Sequence, residues 1–506
     1  MNCNFFISFL LYFKKTKLPA LLFFLLPWVF IQTSCKKLVQ VDPPINSIIT
    51  QQVFADSADA TAAVIGMYAK LAKNYTTLTT GSISPGIGFQ TGGITLYTSL
   101  AADELYANVA NSSYQHESPF YANAILSSST FNYTNMWQAA YTVIYDINAC
   151  LEGLGSSNTA LVFSTKNQLR AECKVARAFM YFNLVNIYGD VPLVLTTNYE
   201  TNAVLPRASV NDVYEQIIAD LTSAQTSLPQ TYLTTGRGRV NYYVATALLS
   251  RVYLYRKQWA LAEAAATQII NAGQYSLSPL NNVFLSNIIT TTNKEPIWQW
   301  FPTSDKTGGY ETYEGQIFVA LGGVVPNYII SDSLLNSFEV NDQRKNNWLK
   351  ANTVGIGVQA KTYYFPYKYK LQNDGTIVPK ELYVVLRLGE QYLIRSEARA
   401  QQGTDLTGAA NDLNMIRTRA GLPNTTASTP SDLLTAIYRE RRLELCCEYG
   451  HRWFDLKRTG LINAVMGGST GACATKGGTW STNWQLFPIP FDEIQRNPFL
   501  TQNTGY

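Results

Sequence analysis

The chain is 506 residues long and 46% hydrophobic, which suffices for one large or two ordinary domains with a sizeable core and argues against disorder. Its formal net charge is only +4, so it lacks the basic surface expected of a nucleic-acid binder. Aromatic residues are plentiful, with 32 Tyr, 23 Phe and 9 Trp, and such rings can either fill a helical core or stack on sugars.

The N-terminal segment has the pattern of an export signal. Three lysines within residues 14–17 precede an apolar run at 18–31, which is shorter than the ~20 residues that cross a bilayer. Small residues then lead to Cys35 in the motif Q-T-S-C, as they do at a cleavage site. This predicts a signal peptide over residues 1–34 whose removal leaves a net charge of +1. By its similarity to a lipobox, the motif also predicts acylation of Cys35; the alternative is a soluble secreted protein.

Five cysteines besides Cys35 remain in the mature chain, at positions 150, 173, 446, 447 and 473. An odd number without C-x-x-C spacing argues against a disulfide framework and against a zinc site. We therefore expect buried thiols, with no metal and no cofactor. A bridge between Cys150 and Cys173 stays an alternative in an oxidising compartment.

The first part of the mature chain predicts a tether, a helix and a long loop. Residues 38–50 are extended and interrupted by proline, as a tether would be. Apolar residues at helical spacing predict a helix over 54–71. Residues 74–97 change to Thr, Ser and Gly around S-P-G-I-G-F-Q-T-G-G, which indicates a loop. Long ordered loops in compact domains are usually functional.

Helical periodicity then dominates up to residue 272. The segments that carry it are 133–154, 166–188, 210–228, 242–256 and 259–272. The last two form a pair with alanines at 245, 262 and 266, where facing helices would touch. Such pairs resemble tetratricopeptide units of about 34 residues. The predicted fold class is therefore mainly α, with tetratricopeptide-like helix pairs in a right-handed helical scaffold, long irregular loop insertions and a few short strands.

Residues 296–377 differ from the helical segments before them. The run I-W-Q-W-F predicts a short strand, and aromatic-rich stretches without long periodicity follow it. We interpret this segment as an irregular insertion. Helical periodicity returns at 383–403 and 406–423, which predicts one more helix pair.

A further helix is delimited at both ends by its own sequence. Thr429 can cap the N-terminus with Pro430 at the first helical position and Asp432 in the first turn. Gly450 can provide a left-handed stop.

The same helix predicts a stripe of charge. Glu440, Glu444 and Glu448 fall four residues apart, and nearby guanidinium groups at 441, 442 and 452 can neutralise them. Beside leucine, cysteine and aromatic residues, this predicts a half-buried lattice of ion pairs. A solvated helix face with an aromatic tail is the alternative.

Several stretches match one known family together. They are A-E-C-K-V-A-R-A-F-M-Y-F-N-L-V-N-I-Y-G-D-V-P-L-V (171–194), P-R-A-S-V-N-D-V-Y-E-Q-I-I-A-D-L (206–221), A-L-L-S-R-V-Y-L-Y (247–255), R-E-R-R-L-E-L-C-C-E-Y-G-H-R-W-F-D-L-K-R-T-G (439–460) and the closing P-I-P…N-P-F-L-T-Q-N-T-G-Y. With the helix pair at 383–423, they resemble the SusD/RagB family, from residue 35 to 506 and most weakly at 74–132 and 296–369. The family's structural signature falls on Arg441, Arg442, Glu444, Glu448, His451, Arg452 and Asp455.

The resemblance implies a domain plan and a function. The plan is a signal peptide (1–34), an N-terminal region (35–235) and a C-terminal region (236–506) with a loop insertion at 296–377. The function is that of a surface lipoprotein of a Gram-negative outer membrane, which binds oligosaccharides and delivers them to a SusC-like TonB-dependent transporter. A ligand site is implied in the early loop and the insertion. The candidates by composition are Phe89, Gln90, Tyr97, Trp300, Tyr310, Tyr313 and Trp348, each of which can instead be a packing residue.

Catalysis is poorly supported by the sequence. Only His116 and His451 are present, and no phosphate-binding loop, nucleophile elbow or H-E-x-x-H motif occurs. Glycosidases need two carboxylates across a cleft, and Asp103-Glu104 or Glu311 with Glu314 do not establish such a pair. We expect no enzyme. The remaining alternatives are a scaffold lipoprotein without a small ligand, a peptide binder and a helical glycoside hydrolase.

Overall fold

Helices make up most of the described chain, as its apolar periodicity predicts. The computed structural model describes residues 53–73, 76–79, 82–85, 88–108, 117–128, 133–156, 161–286, 293–303, 311–372 and 378–506. Val53–Tyr506 form one compact unit. The predicted signal peptide, Cys35, His116 and Tyr310 lie outside the described residues.

The helices of the described residues include seven that match the predicted segments 54–71, 133–154, 166–188, 210–228, 242–256, 259–272 and 406–423 to within four residues at each end. In chain order, the helices are α1 (Ser57–Leu71), α2 (Gly93–Ala101), α3 (Ser118–Tyr121), α4 (Tyr133–Gly155), α5 (Phe163–Tyr188), α6 (Tyr199–Asn202), α7 (Val210–Gln225), α8 (Tyr242–Tyr255), α9 (Trp259–Ile270), α10 (Tyr313–Phe318), α11 (Asp332–Leu335), α12 (Gln343–Trp348), α13 (Leu388–Gln402), α14 (Leu406–Arg419), α15 (Pro430–Glu444), α16 (His451–Arg458), α17 (Ile462–Met466), α18 (Ala472–Thr475) and α19 (Phe491–Arg496). Within the described part of the chain, no helix is long and apolar enough to span a membrane.

The long helices pack as a series of neighbours. Helix α4 packs on α5, α5 on α7, α7 on α8, α8 on α9, α9 on α13, and α13 on both α14 and α15. Ala245, Ala262 and Ala266 are fully buried, and α8 contacts α9 as predicted. The mainly helical class with paired helices is thereby confirmed. Helices α5 and α13 are buried along much of their length, because neighbouring helices pack on both of them.

Short strands join distant parts of the chain. They are β1 (Thr76–Thr79), β2 (Ser82–Pro85), β3 (Leu105–Ala107), β4 (Pro296–Trp300), β5 (Tyr328–Ile330), β6 (Leu349–Val354), β7 (Lys361–Pro366) and β8 (Tyr383–Arg387). They pair antiparallel as β1–β2, β3–β5, β4–β8 and β6–β7. The pairs β3–β5 and β4–β8 attach the central insertion to the helical scaffold.

The predictions for residues 74–97 and 383–403 need correction. The segment 74–97 is not one loop, because it contains β1, β2 and the first half of α2. The helix expected from Tyr383 begins only at Leu388, since residues 383–387 form a strand paired with β4. All five residues of that strand are buried, and a continuous apolar run is compatible with a buried strand as well as a helix.

The cysteines of the described chain are buried free thiols, as expected. Cys150 and Cys173 lie on the facing helices α4 and α5. The thiol of Cys173 forms a hydrogen bond that lowers the pKa of Cys150. Both thiols are free in this structure, and the alternative of a bridge in an oxidising compartment stays a prediction.

The segment after α15 departs from the predicted helix. Thr429 caps α15 as expected, because its side chain accepts a hydrogen bond from Asp432 N at 3.2 Å. The helix ends at Glu444, however, and Gly450, with φ of +74°, precedes α16 instead of ending α15. Glu448 therefore reaches its partners from a turn, and it does not share a helix face with Glu440 and Glu444.

The carboxylates of this region lie in a buried cluster. Glu444 pairs with Arg387 and Arg419, and with Arg344 at 3.3 Å. Arg387 also binds Glu448 through two hydrogen bonds of 2.9 Å, and Glu295 at 3.1 Å. We call the set the Glu444 cluster, and its members are Glu295, Arg344, Lys368, Arg387, Arg419, Glu444 and Glu448. The predicted lattice exists, but it is fully buried where we expected a half-buried one.

The guanidinium partners predicted for the glutamates were wrong. Arg442 and Arg452 both bind Asp103, which follows α2, at 2.7 Å. Arg441 binds Asp455 at 2.8 Å. Because Asp103 lies more than 330 residues from its partners, this contact joins the early part of the chain to the C-terminal signature.

The last residues also return to the first half of the fold. The Asn503 side chain donates to Tyr188 O at 2.8 Å and Phe487 O at 2.7 Å. Its oxygen accepts from Arg207 at 2.5 Å. The closing N-x-G-Y motif thus fastens the end of α5 to the chain's final segment.

Candidate functional site

A groove opens beside the C-terminal half of α1. Its cavity volume is about 570 Å³, within the range of small-molecule sites. Three segments that are distant in sequence form its walls. The lining residues are Ile65, Tyr68, Ala69, Ala72, Thr234, Thr235, Gly238, Arg239, Trp300, Phe301, Pro302 and Thr303.

The groove is mainly apolar and aromatic. Ile65 and Ala69 are exposed on the face of α1. On the opposite side, β4 ends at Trp300 and presents the half-buried ring of Phe301. Gly238 permits this packing, because a Cβ atom there would lie 2.8 Å from the Phe301 ring.

The charge of the groove is neutralised within the protein. Arg239 binds Glu172 through two hydrogen bonds of 2.5 and 3.0 Å. Tyr68 donates to the same carboxylate at 2.9 Å. The site therefore suits an uncharged ligand better than an anion, since its one guanidinium already has a buried counter-charge.

Two polar atoms of the lining have no hydrogen-bond partner within the described residues. They are Nε1 of Trp300 and Oγ1 of Thr303, and both are buried. A buried donor without a partner costs about 1–3 kcal/mol, and because both atoms are covered in this structure, a ligand hydroxyl would reach them only if the Trp300 and Thr303 side chains moved. Aromatic faces and a few unpaired polar atoms are the combination that binds sugars.

The structure places the predicted ligand residues in three different locations. Trp300 lines the groove, and its indole packs edge-on against Phe179 at 5.3 Å. Trp348 lies beside the Glu444 cluster, and Lys368 Nζ is 4.4 Å from its ring. Around α2, the Tyr97 ring stacks on Phe120 at 4.2 Å.

The other predicted residues also pack against protein. Phe89 is fully buried, and Gln90 donates to Lys70 O at 3.2 Å. The Tyr313 ring lies against Gly92, where a Cβ atom would be 2.7 Å away. All six described candidates are buried, so each has a packing role, and ligand contact stays a prediction for every one of them.

Several lining residues were not predicted from the sequence. Ile65 and Ala69 belong to an ordinary amphipathic helix, and Thr234 and Arg239 to a loop without a motif. Only Phe301 carried a signal, because it ends the aromatic run I-W-Q-W-F. The groove forms from long-range packing, which local periodicity does not report.

Two of the carboxylates considered for catalysis, Asp103 and Glu104, have structural partners. Asp103 is ion-paired as described above, and Glu104 accepts from Ser99 at 2.8 Å and from Cys447 N at 3.1 Å. His451 is also buried, and burial together with Arg251 lowers its pKa well below the ordinary value. A base held neutral inside the protein fits the structural role predicted for it.

Glu314 is a buried carboxylate at the start of α10. Burial raises its pKa to about 7, and its Oε2 atom has no partner within the described residues. In the unfolded chain its pKa is near 4.5. The folded state therefore holds the proton more tightly between about pH 4.5 and 7, so Glu314 lowers stability as the pH rises through this window.

We expect Glu314→Gln to remove this dependence. Relative to wild type, the variant should gain about 2–3 kcal/mol of unfolding free energy between pH 5 and pH 8. Urea unfolding at both pH values measures the gain. Glu215→Gln, an exposed change on α7, is the control and should show none. An equal difference between wild type and Glu314→Gln at both pH values would contradict the argument.

Two family models match the chain. The model for the SusD family matches residues 310–506, and the model described as "Starch-binding associating with outer membrane" matches residues 55–254. Among curated proteins, the chain is 26% identical to SusD-like protein P25 of Formosa agariphila, over 94% of this chain and 98% of that protein. It is 34% identical to the starch-binding protein SusD of Bacteroides thetaiotaomicron, over 24% of this chain and 21% of that protein.

Solved structures share the fold. A SusD superfamily protein from Bacteroides thetaiotaomicron superposes with a TM-score of 0.73 at 25% identity, over 88% of this chain and 99% of that chain. A laminarin-binding SusD-like protein gives a TM-score of 0.69 at 24% identity, over 89% and 99% of the two chains. The two family models together cover residues 55–254 and 310–506, and the solved structures share the fold. The chain belongs to the SusD family.

Proposed function

We propose that this protein binds oligosaccharides in the groove beside α1 and delivers them to a SusC-like TonB-dependent transporter. The observation that carries the binding step is the groove itself, which joins aromatic and aliphatic walls to unpaired polar atoms. Its neutralised guanidinium favours an uncharged polyhydroxylated ligand over an acidic one.

The comparisons support a glycan as the ligand class. One matching family model carries a starch-binding description, and one structural neighbour binds laminarin. The delivery step is inferred from family membership, as is a surface position in the outer membrane with an acyl anchor at Cys35. No catalytic step is proposed, since Asp103 and Glu104 serve as structural ion-pair and hydrogen-bond partners and the buried Glu314 is not part of the groove lining.

A variant that fills the groove tests the binding step. Ala69 is exposed on α1 and lines the groove, so Ala69→Trp should occupy the ligand's space without disturbing the core. We expect at least a ten-fold loss of affinity, about 1.4 kcal/mol. Affinity electrophoresis through gels containing laminarin, starch or xylan would identify a ligand, and calorimetry would quantify the loss.

Two matched substitutions are the controls. Ala62→Trp adds the same ring two turns earlier on α1, outside the groove. Met415→Trp places a ring in a separate cavity of about 630 Å³ beside α14. Both should bind as wild type does. If a glycan gel retains the wild-type protein and Ala69→Trp binds that glycan with the same affinity, the groove is not the binding site. Failure to bind any glycan or peptide would favour a scaffold, and release of products would indicate a glycosidase.

A further inference from the structure

The hairpin formed by β6 and β7 carries an exposed apolar tip. Its strands pair over six residues each, from Leu349 with Pro366 to Val354 with Lys361. The turn between them reads G-I-G-V-Q-A. Ile356 is 92% exposed there, and Val358 is fully exposed. Two aliphatic side chains at the end of a strand pair of about 20 Å lie far from any position where the core could cover them.

All charged side chains of the hairpin are basic. No Asp or Glu occurs between residues 343 and 373. Lys350 and Lys361 are exposed on the two strands. Arg344 and Lys368 at the base are paired with buried carboxylates of the Glu444 cluster, so the exposed positive charge of this segment is that of Lys350 and Lys361 on the strands.

Behind the tip, two lysine side chains each lie against a tyrosine ring. Lys361 Nζ lies 5.0 Å from the Tyr363 ring, and Lys350 Nζ lies 4.8 Å from the Tyr367 ring. Lys361 is paired with the last residue of β6, next to the turn, whereas Lys350 lies four residues, about 13 Å, further from it. From the tip inward, the order is thus aliphatic, then basic and aromatic.

A second apolar loop is fixed beside the same hairpin. Asn352 on β6 donates to Leu321 O at 2.9 Å and to Val324 O at 2.5 Å, and it accepts from Gly323 N at 3.1 Å. The side chains of Leu321 and Val324 are both more than half exposed. These three hydrogen bonds hold a further pair of aliphatic side chains on the hairpin's flank.

We propose that the β6–β7 hairpin inserts its tip into an anionic lipid surface. Aliphatic side chains at the tip would enter the acyl region, tyrosines would lie at the level of the headgroups, and the lysines would meet lipid phosphates. A protein partner fits less well. A stable interface covers about 800 Å² on each partner, whereas four separate aliphatic side chains on a narrow projection present less than that.

This inference is independent of the proposed glycan site. The groove is lined by residues 65–72, 234–239 and 300–303, and the hairpin shares none of them. A lipid contact at the hairpin would hold the folded unit at a second point besides the predicted acyl group at Cys35. Failure of one proposal therefore leaves the other unaffected.

Vesicle binding tests the proposal directly. The chain from residue 36 onward contains the compact unit Val53–Tyr506 and lacks the leader and the acylated cysteine. We expect it to sediment with vesicles of 30% phosphatidylglycerol and 70% phosphatidylcholine at low salt. The double change Ile356→Ser and Val358→Ser should reduce the partition constant at least ten-fold. The matched control is Phe163→Ser with Val340→Ser, two exposed apolar residues elsewhere, and it should leave the constant unchanged.

Charge and insertion depth are tested separately. The double change Lys350→Gln and Lys361→Gln should weaken binding several-fold on anionic vesicles only. A fluorophore sensitive to polarity, attached at Val358→Cys, should shift its emission to the blue on binding, and one at Val340→Cys should not. The native thiols are buried and would stay unlabelled. No sedimentation of the parent protein, an equal loss in the control, or hairpin-dependent binding to the transporter instead of vesicles would overturn the proposal.

Discussion

Replacing Arg387 with leucine should destabilise the protein by about 3–5 kcal/mol, a large share of the ~5–15 kcal/mol that holds a typical domain folded. Arg387 is 2% exposed and bridges Glu448, Glu444 and Glu295 in the Glu444 cluster. Leucine preserves much of the volume but leaves three buried carboxylates without their shared counter-charge. Urea unfolding followed by tryptophan fluorescence measures the loss.

The control for this prediction is an exposed arginine. Arg439 is half exposed and lies 3.8 Å from Glu339. Surface ion pairs contribute about 0–1 kcal/mol, so Arg439→Leu should stay within that range. The argument fails if Arg387→Leu loses no more unfolding free energy than Arg439→Leu does.

The state of Glu444 explains why one guanidinium matters. Burial opposes ionisation of Glu444, yet Arg419, Arg387 and Arg344 hold its pKa below the ordinary range.

The second large effect is expected at Asp103. Its carboxylate accepts hydrogen bonds from Arg452 at 2.7 and 3.0 Å and from Arg442 at 2.7 Å. Asp103→Asn keeps the shape but leaves two guanidinium groups without a counter-charge. We expect a loss of about 3 kcal/mol at pH 7. Asp59→Asn, in the exposed first turn of α1, should cost no more than about 1 kcal/mol.

The pH dependence gives an independent check on Asp103. Burial alone would raise its pKa, but Arg452 and Arg442 lower it well below the ordinary 3.8. A depressed folded-state pKa adds stability that is fully present above about pH 4 and is lost as the pH falls further. The gap between wild type and Asp103→Asn should thus be the same at pH 8 and pH 5. A gap that closes already between these values would show that Asp103 is not held ionised.

Local sequence signals predicted the helices well. The periodicity of apolar residues located α4, α5, α7, α8, α9 and α14, and capping residues such as Thr429 located the start of α15. These features depend on residues within four positions of one another, which a single sequence displays directly.

Local sequence signals did not identify side-chain partners that are distant in the sequence. Glu444 was expected to pair with arginines of its own helix, yet it binds Arg344, Arg387 and Arg419, which are 25 to 100 residues away. The charge stripe was correctly interpreted as a lattice of ion pairs, but its burial and its partners were not predicted correctly. In the same way, the groove joins segments that begin near residues 65, 234 and 300, and composition alone directed us to loop aromatics that the fold buries.

The contacts of Asn503 determine when the newly synthesised chain can complete its fold. Its partners, Tyr188 and Arg207, are translated some 300 residues earlier. Asp103 is likewise translated more than 330 residues before Arg442 and Arg452. A nascent polypeptide cannot make these bonds until its final segment has left the ribosome. These contacts can therefore complete the fold only after the last residues have been synthesised.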